Sequence, residues 1–265
     1  MIRVIVNGCC GRMGQRIASL VHADPDMEIA GGLEFDGHPD IGKNLSEVSG
    51  LGELGVRIST SIETEADVLI DFSAPDSTAR RATECAGKGI AFLAGTTGLE
   101  DHHKAEIAAA AEKIPVLVSP NMSIGVNLLF KLTEQVARIL GDSCDIEIIE
   151  THHNEKKDAP SGTAVRLAEH VAKALEKKYP EDAIHGRVGQ IGERPKKEIG
   201  VHAVRGGDIV GDHSVLFAGQ GERLELVHRS QSRDTFASGA VRAAKFIAGK
   251  TAGSYSILDV LEGDI

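Results

Sequence analysis

The densest run of reactive side chains in the 265-residue sequence is Glu150-Thr151-His152-His153-Asn154-Glu155-Lys156-Lys157-Asp158-Ala159-Pro160-Ser161-Gly162-Thr163. Two histidines and two lysines stand there between a predicted strand and a predicted helix start. An imidazole titrates near neutrality and can trade protons, while an ammonium supplies fixed positive charge or a second acid. Pro160 pre-sets the first helical turn, and Ser161, Gly162 and Thr163 put free N–H groups and hydroxyls at its N-terminus. Such an end captures a carboxylate or phosphate. Together these groups suit an anionic substrate that is protonated during reaction; the competing interpretation is a solvated charged loop running into a helix cap. His102-His103 is the contrast: it pairs histidines in a polar helix start, with no strand before it and no anion-binding turn after it, and reads as surface. His22, His170 and His185 read as structural. No H-E-x-x-H accompanies His152-His153, and Cys9, Cys10, Cys85 and Cys144 form no C-x-x-C, so neither a metal site nor a disulfide framework is expected.

A second cluster lies at the N-terminus, where Gly8-Cys9-Cys10-Gly11-Arg12-Met13-Gly14 follows the apolar run Ile2–Val6. A loop of this kind lets backbone N–H groups approach a pyrophosphate at a helix N-terminus. The spacing is G-x-x-G-x-x-G, with Cys10 where the common fingerprint has glycine. Its value comes from standing between strand and helix; a structural turn is the alternative. Glu34 follows Gly14 by 20 residues, where a carboxylate would accept hydrogen bonds from the adenosine ribose. The next residue is Phe35 rather than a cation, which favours NADH, although Lys43 in the following loop could supply charge to a 2′-phosphate and leave NADPH possible. Gly95-Thr96-Thr97-Gly98 and Ser119-Pro120-Asn121-Met122 end later strands. Small and hydroxylated residues there can line a nicotinamide pocket, with Asn121 holding the carboxamide; plain turns compete for both segments.

Positioning these groups requires two kinds of scaffold. Candidate strands Ile2–Val6, Glu28–Leu33, Val68–Phe72, Ile90–Ala94 and Val116–Ser119 are interleaved with helical patterns at Met13–His22, Asp76–Lys88 and Asp101–Lys113. That alternation gives βαβ units and a parallel sheet covered on both faces. The segment Asp36–Gly55, rich in Gly, Asp and Pro, reads as a long loop. Beyond it the rhythm changes: a helix near Val126–Leu140, a strand at Asp145–Glu150, and a helix near Ser161–Lys178 lead to strands Gly200–Arg205, Ser214–Ala218 and Arg223–His228. The joints Gly206-Gly207-Asp208 and Gly219-Gln220-Gly221 are turn signals, so an open, partly antiparallel sheet is expected. A last helix, Phe236–Ala248, has the spacing to return and pack on the first domain. Composition narrows the function. With 29 Lys and Arg against 39 Asp and Glu the chain carries −10, and no basic run offers itself to nucleic acid. Aromatics at 3% disfavour a base-stacking platform. Apolar stretches fall far short of the roughly 20 residues that span a bilayer. Met1 leads straight into the first strand with no targeting segment, so a cytoplasmic chain without a membrane partner is expected.

Taken together, Gly8-x-x-Gly11-Arg12-Met13-Gly14, Gly95-Thr96-Thr97-Gly98 and His152-His153-x-x-Lys156-x-Asp158-Ala159-Pro160-Ser161-Gly162-Thr163 resemble the 4-hydroxy-tetrahydrodipicolinate reductase family, the dihydrodipicolinate reductases of bacterial and plant lysine synthesis. The likeness continues through Gly206-Gly207-Asp208-Ile209-Val210-Gly211 and Arg233 to Gly239-Ala240-Val241-Arg242. It implies an α/β protein: a Rossmann-type doubly wound parallel sheet (residues 1–123 plus 236–265), and a second α+β domain with an open mixed sheet (124–235) for substrate binding and homotetramer assembly. It implies NADH or NADPH as hydride donor to a small-molecule dicarboxylate. By motif position, Gly8, Cys9, Cys10, Gly11, Arg12, Met13, Glu34, Gly95, Thr96, Thr97, Ser119, Pro120, Asn121 and Met122 would bind the dinucleotide. His152 would be proton donor and acceptor and Lys156 a proton donor; the residues alone do not choose Lys156 over Lys157. His153, Gly162 and Thr163, with Ser161 at the same helix start, would hold the substrate. Members that use NADPH well often carry Arg where this chain has Phe35, and some carry Arg at the position of Ala74, although dual cofactor use is common in the family. The implied reaction reduces a cyclic conjugated imine dicarboxylate formed when the hydroxylated ring loses water. It requires the two domains' residues to meet across a cleft that closes on binding. The alternatives are another nicotinamide-dependent dehydrogenase of amino-acid metabolism and a non-enzymatic NAD(H) sensor.

Overall fold

The structure is a computed structural model that describes residues 1–52, 54–196, 198–232 and 234–263. The chain divides into two compact units, Met1–Ile124 with Asp234–Ile265, and Gly125–Arg233. Arg233, part of the resemblance above, lies outside the described residues. The first unit begins with β1 (Ile2–Asn7), α1 (Arg12–Ala23), β2 (Met27–Leu33), α2 (Leu45–Ser49), β3 (Ile58–Ser59), β4 (Val68–Asp71), α3 (Pro75–Lys88), β5 (Ala91–Ala94), α4 (Asp101–Ala111) and β6 (Pro115–Val118). The second contains α5 (Ile124–Leu140), β7 (Asp145–His152), α6 (Gly162–Ala174), β8 (Ala183–His185), β9 (Ile199–Arg205), β10 (Gly211–Ala218) and β11 (Arg223–Ser230). The chain then supplies α7 (Asp234–Ile247), β12 (Gly253–Tyr255) and α8 (Ile257–Glu262) to the first unit.

In the first unit seven parallel strands run in the order β12-β6-β5-β4-β1-β2-β3. Each strand sends alternate side chains to opposite faces. Val4, Val6, Val68, Ile70 and Leu93 meet Ile17 and Val21 of α1 and Ala240 and Ala244 of α7 on one face. Ile5, Leu69 and Phe92 meet Ala82 and Cys85 of α3 and Ile107 of α4 on the other. Burial of both faces explains why these strands read as continuous apolar runs. The connections run outward in opposite directions from β1, to β2 on one side and β4 on the other, so the switch point lies between β1 and β4.

The second unit has a mixed sheet, β11-β10-β7-β9-β8, with β10 antiparallel to both neighbours and β7, β9 and β8 parallel. Helices α5 and α6 cover one face, where Leu129, Phe130, Leu167 and Val171 pack on Ile146, Ile148, Val201, Val215 and Phe217. The two turn-like joints behave differently. Gly219-Gln220-Gly221 closes the β10–β11 hairpin, whereas Gly206-Gly207-Asp208 begins a crossing, because β7 lies between β9 and β10. Turn residues fix a bend, not the strand reached after it. The expected long loop at Asp36–Gly55 contains α2, whose Asn44 cap accepts a hydrogen bond from the Ser46 amide and whose Leu45 is buried. Helix α6 stops at Ala174, short of the expected Lys178. β3, β8 and β12, of two or three residues, are too short to show any period.

Candidate active site

Two groups of residues collect at strand ends, one in each unit. In the first, β1 ends at Asn7 and the chain turns through Gly8–Gly11 into α1. Gly8 has φ +76°, and a β-carbon there would lie 2.5 Å from the Phe72 carbonyl oxygen; at Gly14 it would lie 2.0 Å from the Gly8 oxygen. Bare backbone at both positions lets the loop, the end of β4 and the first turn of α1 close on one another. Helix α1 has no side-chain cap, so its first-turn amides and positive dipole end are open to an anion. A cavity of about 210 Å³ lies here, lined by Asn7, Gly8, Gly11, Glu34, Phe35 and Ser73 among others. These features fit a dinucleotide: backbone faces the diphosphate, and a carboxylate stands at the end of β2 for the ribose.

Within this cradle Glu34 is 8% exposed and its Oε1 accepts from the Cys10 amide at 2.9 Å, so it braces the glycine loop as well as facing the cavity. Cys9 and Met122 are buried, with their side chains in the core of the first unit. Arg12 and Thr97 are exposed, Met13 is half-buried and Gly95 is buried. Thr96 is turned inward, donating to Asp71 Oδ2 at 2.8 Å. Ser119 Oγ donates to the Asn121 carbonyl, Asn121 Oδ1 accepts from the Ser123 amide, and Pro120 is exposed between them. Lys43 is held 2.6 Å from Asp40.

Beneath the cradle lies a cluster that sequence reasoning missed. Asp71, fully buried at the end of β4, accepts from Asn7 Nδ2, Ser73 Oγ, Thr78 Oγ1 and Thr96 Oγ1 at 2.5 to 2.8 Å. One carboxylate thereby ties together the ends of β1, β4 and β5 and the start of α3. Polar residues closing apolar strands are the available signal.

In the second unit β7 carries Glu150 and His152, two apart and so on the same face, toward the helices. Glu150 is fully buried. It accepts from His152 Nδ1 at 2.6 Å, from both terminal nitrogens of Arg205 at 2.8 and 2.9 Å, and from the Ser161 amide at 2.9 Å. Burial pushes this carboxyl up, but bonds from Arg205, His152 and Ser161 outweigh it and hold the group below the usual glutamate range. His213 lies edge-on to His152, ring centroids 5.2 Å apart, with its Nε2 3.0 Å from Ser161 Oγ. Beyond β7 the loop is pinned by the His153 amide donating to the Ile209 carbonyl and the Gly206 amide donating to the His152 carbonyl. Lys156 reaches Asp158 at 2.9 Å. Helix α6 starts at Gly162; Pro160 therefore precedes the cap rather than occupying the first helical position, and Ser161 is the cap, accepting from the Ala164 amide. Ser161 is 3% exposed and fully engaged, whereas Gly162 is exposed and Thr163 half-buried at the helix opening. Glu150 thus ties His152 to the start of α6, where Gly162 and Thr163 stand, and His153 and Lys156 lie on the loop that joins β7 to that helix.

The contrast pair departs from expectation: His102 is exposed, but His103 is 5% exposed. His103 Nδ1 accepts from the Glu100 amide and Nε2 meets Asp76 at 2.8 Å, so the ring closes the capping box of α4. Asp76, His102 and His103 lie close enough to share an ion. Yet the nitrogen of His103 facing Asp76 carries the proton whenever the other accepts, and hydrogen bonding accounts for the ring.

Two family models span the chain, "Dihydrodipicolinate reductase, N-terminus" over residues 2–122 and "Dihydrodipicolinate reductase, C-terminus" over 125–261. The chain belongs to the dihydrodipicolinate reductase family. A 4-hydroxy-tetrahydrodipicolinate reductase of Anaeromyxobacter sp. (strain Fw109-5) is 51% identical over 264 residues, covering 98% of each chain. The enzyme of the same name from Anaeromyxobacter dehalogenans (strain 2CP-C) is 48% identical over 265 residues, again covering 98% of each. A solved dipicolinate-bound dihydrodipicolinate reductase from Paenisporosarcina sp. TG-14 superposes with a TM-score of 0.77 at 29% identity over 97% of each chain. As a dihydrodipicolinate reductase the chain is an enzyme, an oxidoreductase that uses a nicotinamide dinucleotide. Among its described residues no helix is long and apolar enough to cross a membrane.

Proposed function

We infer that this chain reduces 4-hydroxy-tetrahydrodipicolinate, through its dehydrated cyclic imine, to tetrahydrodipicolinate in the diaminopimelate route to lysine. The observation that carries this reading is the buried carboxylate of Glu150, which binds both His152 and the amide that opens α6, with Lys156 on the loop between them. The start of α6, with Gly162, Thr163, His153 and Lys156, would grip the substrate's carboxylates through backbone amides, dipole and charge. Ser161 serves that grip by capping the helix. The glycine loop, Glu34, Gly95–Thr97 and Ser119–Met122 would hold the dinucleotide. When bound, its reduced form supplies a hydride to the ring. Addition of a hydride at one end of the conjugated imine leaves an electron pair at the other, and a proton from His152 or Lys156 satisfies it. Substrate, hydride and proton then sum to product. A positioned acid typically contributes about a hundred- to ten-thousand-fold.

NADH is the favoured donor on this reading: Phe35 is 58% exposed at the cavity rim, and the nearby ammonium of Lys43 is already paired with Asp40. The oligomer is a homotetramer built on the uncovered face of the second unit's sheet, and the chain works in the cytoplasm. The test is a coupled assay supplying pyruvate, aspartate semialdehyde and the preceding synthase, followed by NADH absorbance and repeated with NADPH. Turnover should be seen, with higher kcat/KM for NADH. His152→Ala should lower kcat about a hundredfold or more with little change in NADH affinity. No oxidation above background would favour another dehydrogenase or a sensor, and equal loss of turnover and NADH binding would mark His152 as structural.

A further inference from the structure

The carboxylate behind His152 neither gives nor takes a proton or hydride in the reaction, yet it is the most completely hydrogen-bonded charge in the second unit's site. Glu150 has no exposed surface, and its two oxygens receive four donors from three elements: His152 on β7 itself, both arms of the Arg205 guanidinium on β9, and the amide that opens α6. An ionised carboxylate only accepts, so the His152 nitrogen 2.6 Å away must be the one that carries hydrogen. The other nitrogen faces β10. A β-carbon added at Gly211 would lie 3.0 Å from His152 Nε2, so the absence of a side chain there leaves that nitrogen's flank clear. Around the pair stand Arg205 on β9, His213 on β10 with His228 on β11, and Lys156 and Asp158 in the loop that follows. Helix α6 presents Ser161.

We propose that Glu150 is the positioning residue of the reaction: it fixes His152 in the Nδ1–H form, leaving Nε2 as the proton-transfer atom, while Arg205 balances its charge. The inference rests on the assignment of His152 as acid. A carboxylate behind a histidine both selects the tautomer and stabilises the imidazolium, and replacing it by an amide loses the first effect as well as the second. Arg205 makes the arrangement neutral when His152 is neutral and singly positive when it is charged, so the buried carboxylate is never without a partner.

The test combines ¹⁵N spectra of the histidine rings with pH profiles of kcat. In the unaltered enzyme above neutral pH, His152 should show a protonated Nδ1 and an unprotonated Nε2; the opposite assignment overturns the proposal without any variant. In Glu150→Gln that pattern should be lost, and kcat should fall at least about tenfold. The basic limb of the kcat profile should move to lower pH by on the order of one unit, since an amide no longer favours the charged ring. The NADH dissociation constant should stay within about twofold, because Glu150 lies outside the dinucleotide cradle. A Glu150→Gln enzyme with unchanged tautomer and unchanged limb overturns the proposal. Gly211→Ala should lower kcat while keeping the Nδ1–H spectrum, and loss of that spectrum in Gly211→Ala also counts against it. A His152→Ala enzyme with full turnover would instead defeat the assignment of His152 as acid and leave the tautomer result standing, so the two failures are told apart.

Discussion

At the scale of single residues, His213 carries a cost that the site imposes on stability. Burial, and then the neighbouring His152, push its pKa down from 6.5 to about 4. Among the described residues nothing pairs with its buried Nδ1, so a proton there would find no acceptor. In the unfolded chain the ring takes up a proton near 6.5, while the folded ring refuses it until about 4. Between those values the unfolded state binds more protons, so folding stability falls as the pH drops through the window and is complete above it. At about 1.4 kcal/mol per unit the loss is on the order of 3 kcal/mol. Thermal melts from neutrality to pH 4 should show it, and His213→Phe should flatten the slope while forfeiting the bond to Ser161. A variant as acid-sensitive as the parent would assign the acid lability elsewhere. His213, Glu150 and Asp71 share a reason for escaping a reading of the sequence. A buried polar residue looks the same in a string of letters as an exposed one, and its meaning comes from partners up to tens of residues away.

At the scale of elements, the glycine loop shows what backbone proximity demands. Gly14 lies in the first turn of α1, and a methyl group there would stand 2.0 Å from the Gly8 oxygen and 2.7 Å from the Cys9 α-carbon. Both obstacles are main chain, which cannot swing aside as a side-chain tip can, so α1 would have to retreat from the loop. Gly14→Ala should therefore weaken NADH binding at least about tenfold and destabilise the first unit by about 1–3 kcal/mol. Fluorescence titration and melting curves check the two effects, and wild-type affinity would show that the helix start does not frame the diphosphate. This element was legible in advance because strand, glycines and helix are contiguous. So were β4 and β5, whose apolar runs suit a sheet covered on both faces. The crossing from β9 to β10 was not, since Gly206 and Gly207 announce a bend while β7, fifty residues earlier, decides which edge remains free. The same segment pins the loop after His152 through Ile209. Its glycines thus serve the site rather than a hairpin, a role that depends on a strand pairing no local pattern encodes.

At the scale of the whole molecule, the second unit's sheet is covered by helices on one face only among the described residues. The other face carries a row formed by Ile149, Ser214 and Val227, directly opposite one another across β7, β10 and β11. Ile149, Val204 and Val227 are 37%, 46% and 44% exposed. Toward the β8 edge the apolar surface gives way to a charged network, in which Glu147 accepts from Arg187, Arg194 and His202. Burial pushes Glu147 up, but these donors outweigh it and bring its pKa to about 2, so its carboxylate stays ionised across the working range of pH. The homotetramer proposed above would place this apolar strip in its interface. Stacking two such faces would bury the strip about a twofold axis and keep the ion pairs at the rim. Val227→Glu would then set like charges against each other across the axis without touching the helical side of the sheet. Sedimentation should show a tetramer for the parent chain and smaller species for the variant, with circular dichroism unchanged. A parent that sediments as a monomer would remove the homotetramer, and a variant that stays tetrameric would move its interface off this face.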